Sequence, residues 1–336
     1  MRGLVGICSV LGIAVAVFCT AASSVLARDR EPDTGPAVVV SIAPIHSLVT
    51  MVMDGVATPR LLLPQGASPH AYALRPSDAR ALARARLVIW VGPALESFLE
   101  KPLASLVARG EIMGLMAAPG LILHQVRRGG AWPGHSSSNA HASRDADHGN
   151  HGDGHPGEAG GHDPHIWLDP RNGIAMVQAI AGALARLDPP RAARYRDNAR
   201  RARARLASLD RTLAARLEPV RGRPYVVFHD AYRYFEARYG LNAVGSIVVA
   251  ADRRPGIKRL KEIRGRLRET GAACVFAEPQ FSPRIAATVV EDSGARIGVL
   301  DPLGSGLAPG PGQYSSLLNS LADDLVRCLA GAARWR

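Results

Sequence analysis

The chain has 336 residues, of which 47% are hydrophobic, and a formal net charge of +12. The hydrophobic content excludes a globally disordered protein, and the length favours two domains. The positive charge does not indicate nucleic-acid binding, because arginines spread along helical stretches supply nearly all of it. Few aromatic residues are interleaved with these arginines, and the sequence shows no nucleic-acid-binding motif. We therefore interpret the arginines as the solvated faces of helices.

The first 27 residues have the pattern of a signal peptide. Arg2 precedes an apolar stretch over residues 4–18, and small residues at 25–27 fit a cleavage site. The apolar stretch is short for a membrane-spanning helix. We expect a mature chain that begins near Arg28 and resides outside the cytoplasm.

Two cysteines, Cys274 and Cys328, remain after removal of the signal peptide. An even number of cysteines in an oxidising compartment predicts a disulfide between them. Two free buried thiols are the alternative.

Strands alternate with helices in the first half of the chain. The predicted strands are Val38–Ile42, Leu61–Leu63, Leu87–Val91 and Ile112–Met116, and the predicted helices are Ile45–Met53, Pro76–Ala85 and Leu95–Ala108. This alternation predicts a parallel sheet in an α/β lobe.

Residues 129–162 interrupt this pattern. The segment is rich in Gly, Ser, His and Asp and offers almost nothing to bury, so we expect a mobile loop. Its histidines are His135, His141, His148, His151, His155 and His162. A histidine-rich tract is a compositional signal for metal binding. We interpret the loop as a weak collector of metal ions; a neutral spacer or a purification tag is the alternative.

Two helices are predicted after this loop. Asp169 fits an N-cap and Pro170 the first position of a helix that continues to Leu187. A longer helix, Arg191–Glu218, has its apolar residues on one face and arginines on the other. At 1.5 Å per residue it spans roughly 42 Å, enough to connect two lobes. An ordinary surface helix within one domain is the alternative.

The alternation of strands and helices then resumes. The predicted strands are Tyr225–Phe228, Gly245–Ala250, Cys274–Ala277 and Arg296–Leu300, and the predicted helices are Ala231–Tyr239, Ile257–Thr270, Pro283–Ser293 and Tyr314–Leu329. We expect a second α/β lobe.

Four polar residues lie just beyond apolar runs: His70, His165, His229 and Asp301. In open α/β sheets, ligands bind outside the carboxyl ends of the strands. Two facing lobes would bring these residues together, His70 and His165 from the first lobe and His229 and Asp301 from the second. Three imidazoles and a carboxylate suit Zn²⁺. The sequence therefore predicts a zinc site between the lobes.

The motifs around these residues resemble those of the periplasmic zinc-binding proteins of bacterial zinc ABC importers, the ZnuA type. The segments that carry the resemblance are Gly66–His70 with Leu74–Asp78, Asp163–Pro170, Phe228–Tyr232, Phe276–Phe281 and Leu300–Gly304. They occur in order over nearly all of the mature chain.

The resemblance implies a fold and a domain organisation. The fold class is α/β, with two Rossmann-like lobes that contain parallel sheets and are joined by a long rigid helix. We place the signal peptide at 1–27, the first lobe with its mobile histidine-rich loop (129–162) at 28–190, the connecting helix at 191–218, and the second lobe at 219–336.

The resemblance also implies the ligands. The family's metal-binding histidines fall on His70, His165 and His229. Asp301 matches a ligand position of manganese-binding relatives, and Pro69 stands where some zinc-binding members have an acidic residue. The fourth ligand is therefore predicted to be Asp301 or a water molecule.

The function implied is capture of Zn²⁺ in the periplasm and its delivery to an ABC permease in the inner membrane, without catalysis, by a monomer that binds no nucleic acid. A manganese- or iron-binding member of the same family is one alternative. A secreted zinc hydrolase with Glu278 or Asp301 as the base is another, although the HExxH motif is absent.

Overall fold

The computed structural model describes residues 35–107, 109–127, 129–132, 161–248 and 255–331. The predicted signal peptide and residues 133–160 of the predicted histidine-rich loop lie outside these ranges. Within them, no helix combines the length and the apolar character needed to cross a membrane.

The first lobe contains a sheet of four parallel strands. They are β1 (Val38–Val40), β2 (Arg60–Leu61), β3 (Leu87–Trp90) and β4 (Glu111–Gly114), in the spatial order β2-β1-β3-β4. The helices of this lobe are α1 (Ala43–Val52), α2 (Pro76–Arg84) and α3 (Glu100–Leu106). β1 and β3 are buried along their whole length, as expected for aliphatic strands covered on both faces.

α3 is shorter than the predicted helix over residues 95–108. A 3-10 helix at Ser97–Leu99 precedes it. The physical reason is Glu96, whose Oε2 accepts hydrogen bonds from the backbone N–H groups of Val91 (2.8 Å) and Gly92 (2.9 Å). This side chain caps the carboxyl end of β3, so the chain turns at Glu96 before the α-helix begins.

Burial of Glu96 predicts a pH-dependent stability. Desolvation raises the pKa of its carboxyl group from 4.5 to about 7. The hydrogen bonds that the carboxylate accepts lower the pKa, but desolvation outweighs them. A carboxyl whose folded-state pKa is raised stabilises the fold below its unfolded-state pKa, and this contribution is lost as the pH rises through about 7. Glu96→Gln should therefore flatten the pH dependence of the free energy of unfolding by up to about 3 kcal/mol.

Urea unfolding at about pH 5 and about pH 8, either side of the raised pKa, measures this effect. The exposed Glu100 is a matched control, because Glu100→Gln should leave the pH dependence as in the parent protein. Parallel pH profiles for the parent and Glu96→Gln would contradict the prediction.

Two long helices follow, α4 (Pro170–Leu187) and α5 (Ala192–Leu217). The predicted start of α4 is confirmed, because the Asp169 side chain accepts a hydrogen bond from Arg171 N and Pro170 is the first helical residue. The apolar face predicted for α5 is also confirmed; its members are buried at Tyr195, Ala199, Ala202, Leu206, Leu209, Leu213 and Leu217. α5 connects the two lobes and packs against α4 and α1.

The second lobe repeats the strand order of the first. Its parallel strands are β5 (Pro224–Val227), β6 (Asn242–Ser246), β7 (Cys274–Ala277) and β8 (Arg296–Val299), in the order β6-β5-β7-β8. Its helices are α6 (Arg233–Tyr239), α7 (Ile257–Thr270), α8 (Pro283–Val290) and α9 (Gln313–Leu329). The α/β fold of two lobes with parallel sheets and a long connecting helix is thus confirmed.

β6 begins earlier than the predicted strand at residues 245–250. Residues 242–244 are buried, Asn242 and Ala243 pair with β5, and the register shifts at Val244. The Asn242 side chain donates a hydrogen bond to Gly222 O. A polar first residue concealed the start of this strand in the sequence.

Residues 130–132, predicted as part of the first lobe's loop, lie against the second sheet. Ala131 pairs antiparallel with Gly245, Trp132 N donates to Val244 O, and Ser246 N donates to Gly130 O. The first residues of the predicted histidine-rich loop thus contact the second lobe.

α9 ties the end of the chain back to the first lobe. Tyr314 N donates to Ser47 Oγ of α1 (3.0 Å), and Tyr314 Oη donates to Trp167 O (2.6 Å). The predicted disulfide is present and joins Cys274 of β7 to Cys328 of α9. One hydrophobic core therefore includes α1, α4, α5 and α9, and residues of both sheets belong to it.

Candidate metal centre

His70, His165 and His229 converge at one point between the sheets. Each offers one ring nitrogen, and these nitrogens lie within 4.8 Å of one another. The centroids of the three rings are 5.3 to 5.7 Å apart. His165 and His229 are buried, whereas His70 is half-buried. The three predicted histidines thus form a cluster small enough to hold a single metal ion.

Different local structures position the three rings. His70 lies in the loop between β2 and α2, and His229 follows β5 after one intervening residue. Both therefore lie beyond the carboxyl end of a strand, as predicted. His165 instead precedes the 3-10 helix Ile166–Leu168 that leads into α4. Its segment is held by an antiparallel bridge between Gln125 and His162, so no strand of the main sheets carries it.

Two buried carboxylates orient two of the rings. Asp163 Oδ1 lies 2.7 Å from His165 Nδ1, and Glu278 Oε1 lies 2.7 Å from His229 Nδ1. The same oxygens accept hydrogen bonds from the backbone N–H groups of His165 (2.9 Å) and His229 (3.2 Å). Because a carboxylate is an acceptor, each Nδ1 carries a proton and each Nε2 presents its lone pair. This is the arrangement that fixes metal-binding histidines.

The Nε2 atoms of His165 and His229 are buried and have no hydrogen-bond partner among the described residues. A buried acceptor without a donor is costly unless a cation or a donor occupies the space before it. The donor set of the cluster therefore fits a metal ion that prefers nitrogen ligands.

The charges around the two buried rings differ. Desolvation, followed by the charge of His229, lowers the pKa of His165 well below its ordinary value. Desolvation also opposes the charged form of His229, but the adjacent Glu278 carboxylate outweighs it and raises the pKa of His229. Desolvation raises the pKa of Asp163 to about 6. A divalent cation would favour the neutral imidazoles and the ionised carboxylates behind them.

Asp301 is not brought into the cluster of ligand atoms. Its Oδ1 accepts hydrogen bonds from Leu303 N (3.0 Å) and from Gln280 Nε2 (2.9 Å), and its Oδ2 accepts one from Ser305 N (2.5 Å). The carboxylate thus organises the loop after β8. Its role as the fourth ligand stays a prediction.

The cleft around the histidines is largely apolar. Besides the cluster, its described lining consists of Ser68, Pro69, Trp167, Glu278, Gln280, Phe281, Pro302 and Leu303. The indole N–H of Trp167 donates to Pro302 O (2.8 Å) and closes the cleft between the lobes. Glu278 is the carboxylate of this lining, and it is bonded to His229.

A buried charge cluster supports the backbone that follows His229. The Arg127 guanidinium forms ion pairs with Asp230 and Glu236 and stacks 3.9 Å from the centroid of the Trp132 ring. Arg127 was not predicted from the sequence, because its ion-pair partners are more than 100 residues away and leave no local pattern. The orienting role of Asp163 was not predicted either, although an acidic residue two positions before His165 was a usable signal.

The fold and the cluster define a two-lobed α/β metal-binding protein. The family of zinc-uptake complex component A periplasmic proteins, ZnuA, matches residues 38–328, and the chain belongs to this family. The high-affinity zinc uptake system protein ZnuA of Brucella suis is 42% identical over 94% of this chain and 96% of the relative. The protein of the same description from Yersinia pestis is 39% identical over 92% of this chain and 96% of the relative. A crystal structure of ZnuA superposes with a TM-score of 0.71 and 24% identity over 88% of this chain and 99% of that chain, which shows the shared fold.

Proposed function

We propose that the protein captures Zn²⁺ with high affinity in the periplasm and delivers it to an ABC permease of the inner membrane. The observation that carries this proposal is the cluster of His70, His165 and His229, in which carboxylates orient two of the rings. The similarity to ZnuA proteins over nearly the full chain supports the transport role. A signal peptide at residues 1–27 and a monomeric state complete the proposal.

Zinc is favoured over manganese or iron by the donor atoms. The cluster offers three imidazole nitrogens and includes no carboxylate oxygen. Zn²⁺ binds well to imidazole in a tetrahedral shell, whereas Mn²⁺ is better suited to oxygen-rich, six-coordinate sites. Manganese should therefore compete poorly with zinc.

A non-catalytic role is supported by the two candidate bases. A zinc hydrolase needs a free general base beside the metal-bound water. Glu278 holds His229, and Asp301 accepts two backbone N–H groups and the Gln280 amide. Both carboxylates thus hold other groups of the fold in place, as expected of a protein that binds and releases its ion without a reaction.

Zinc should raise the melting temperature, and this gain should fade on acidification. The assembled cluster exists in the folded state, so binding stabilises the protein by an amount that rises with the logarithm of the free zinc concentration once this exceeds the Kd. Only neutral imidazole binds the ion, and the raised pKa of His229 lets protons compete with zinc at this ring as the pH falls from mildly alkaline to acidic values. Thermal melts with and without zinc from about pH 7.5 to about pH 5 span this range and measure the effect.

Manganese at the same concentration is the control for metal selectivity. A zinc-induced shift that stayed constant down to acidic pH would contradict imidazole ligation. A larger shift with manganese would favour the manganese-binding alternative.

A further inference from the structure

Gln280 lines the cleft beside the three histidines, in the loop that follows β7. Its side-chain nitrogen Nε2 donates to Asp301 Oδ1 (2.9 Å) and to Ser305 Oγ (2.8 Å). These two bonds use both hydrogens of the amide. The nitrogen end of Gln280 is therefore anchored to the loop after β8.

This anchoring determines which way the amide faces. An ionised carboxylate can only accept hydrogen bonds, so the nitrogen of Gln280 must face Asp301 and the oxygen must face away. Oε1 is buried and has no hydrogen-bond partner among the described residues. Gln280 is part of the cleft wall, and a buried acceptor normally has a hydrogen-bond donor beside it. The cleft is therefore where a donor to Gln280 Oε1 is expected to bind.

Asp301 is less suited to contact a metal than the resemblance implies. Its oxygens already accept from Leu303 N, Ser305 N and Gln280 Nε2. Oδ2 accepts only one of these bonds, but Asp301 is outside the cluster of ligand atoms formed by the three histidines. The geometry makes Asp301 the anchor of Gln280.

We propose that Gln280 Oε1 accepts a hydrogen bond from the water molecule that completes the coordination shell of the captured zinc, and that Asp301 acts by positioning Gln280. The inference rests on the proposed zinc-binding function. Three histidine nitrogens leave one position of a tetrahedral shell for water. A water whose lone pair is committed to the metal needs an acceptor for its hydrogens.

A neutral amide is the appropriate acceptor for a cargo site. It orients the water but does not readily remove its proton, so the water stays a replaceable ligand and not a nucleophile. The lining carboxylate Glu278 contacts His229 Nδ1 through Oε1, and its Oε2 is a second buried oxygen without a partner among the described residues. Gln280 supplies the neutral amide acceptor of this lining.

The test compares Gln280→Met with Asp301→Asn in the full chain. Methionine keeps the length of the side chain and removes the acceptor. Zinc affinity, measured by competition with a chelator, should fall about 10–100-fold in Gln280→Met, as for other losses of a group that supports a metal ligand. Asp301→Asn keeps one side-chain oxygen that can accept a hydrogen bond from the Gln280 amide, so the zinc affinity of this variant should fall less.

Cobalt absorption spectra supply a second readout, because the bands of bound Co²⁺ report the coordinating atoms. Asp301→Asn should keep the parent spectrum, since Asp301 is outside the coordination shell. Melting of the metal-free variants checks folding, and Gln280→Asn, which withdraws the amide oxygen by one methylene, is the second variant if Gln280→Met does not fold.

Parent-like zinc affinity in the folded Gln280 variant would overturn the inference. A changed cobalt spectrum in Asp301→Asn, together with an affinity loss as large as that of a histidine variant, would also overturn it and make Asp301 a ligand. Failure of the proposed function has a different signature, because then the parent protein itself would not bind zinc tightly.

Discussion

His165→Ala is expected to abolish tight zinc binding while the two lobes stay folded. The substitution removes one of three nitrogen donors whose ring atoms lie within 4.8 Å of one another. Loss of a group that only supports a metal ligand costs about 10–100-fold in affinity, so loss of a ligand should cost more than about 100-fold. His229→Ala and His70→Ala should behave alike. Competition with a chelator of known affinity measures the effect.

His124→Ala is a matched control, because His124 is half-buried and lies outside the cluster. Its backbone oxygen accepts from Asp163 N, and this bond survives the substitution. The control should bind zinc like the parent protein. Near-parent affinity in any one of the three cluster variants would remove that histidine from the site.

The orienting carboxylate should show an intermediate effect. Asp163→Ala leaves all three imidazoles but frees the His165 ring to rotate, because Asp163 Oδ1 holds both Nδ1 and the backbone N–H of that residue. We expect an affinity loss of about 10–100-fold. A loss equal to that of His165→Ala would show that Asp163 does more than orient the ring.

Features with a local signal were predictable from the sequence. Among the eight strands in the described part of the chain, apolar runs bounded by turn residues predicted seven near their observed positions, and β6 was displaced. The N-cap role of Asp169 depends on residues adjacent in the chain, and the apolar face of α5 on helical spacing. His70 and His229 were predicted as ligands because each follows a strand, and the chemistry of imidazole then favoured zinc.

Features that depend on distant residues were not predictable in this way. Glu96 interrupts a sequence with helical character because its side chain bonds to backbone groups at the end of β3. The Trp167 indole reaches Pro302 across 135 positions of sequence, and Tyr314 reaches Trp167 across 147. Such contacts require the assembled lobes, and no periodicity encodes them.

The same distinction between local and distant signals applies to the candidate site. Its three histidines stand in recognisable motifs, and so do Asp163 and Glu278. The pairing of Glu278 with His229 has no local signal, however, since the two residues are 49 positions apart. The Gln280–Asp301 pair was likewise hidden, because Asp301 taken alone has the chemistry of a ligand. The structural role of Asp301 becomes visible only in the assembled fold, where backbone N–H groups donate hydrogen bonds to its carboxylate.

Removal of the Cys274–Cys328 disulfide should produce the largest loss of stability. The bond closes a chain segment with a sequence separation of 54. In the chain-entropy description, opening a loop of this size lowers the free energy of unfolding by about 4 kcal/mol. The double variant Cys274→Ala, Cys328→Ala should unfold at a lower denaturant concentration than the oxidised parent. Denaturant titration of the metal-free proteins measures the difference.

Zinc binding should be affected far less than stability. Cys274 begins β7, and Glu278, which holds His229, directly follows this strand. While the lobe is folded, the pairing of β7 with β5 and β8 keeps Glu278 in place without the disulfide. The reduced parent is the control, because it lacks the bond but keeps both sulfur atoms, and it should match the double variant in stability. Equal stability of the oxidised and reduced parent would show that the disulfide does not restrain the unfolded chain. An affinity loss comparable to that of His165→Ala would show that the disulfide positions the site itself.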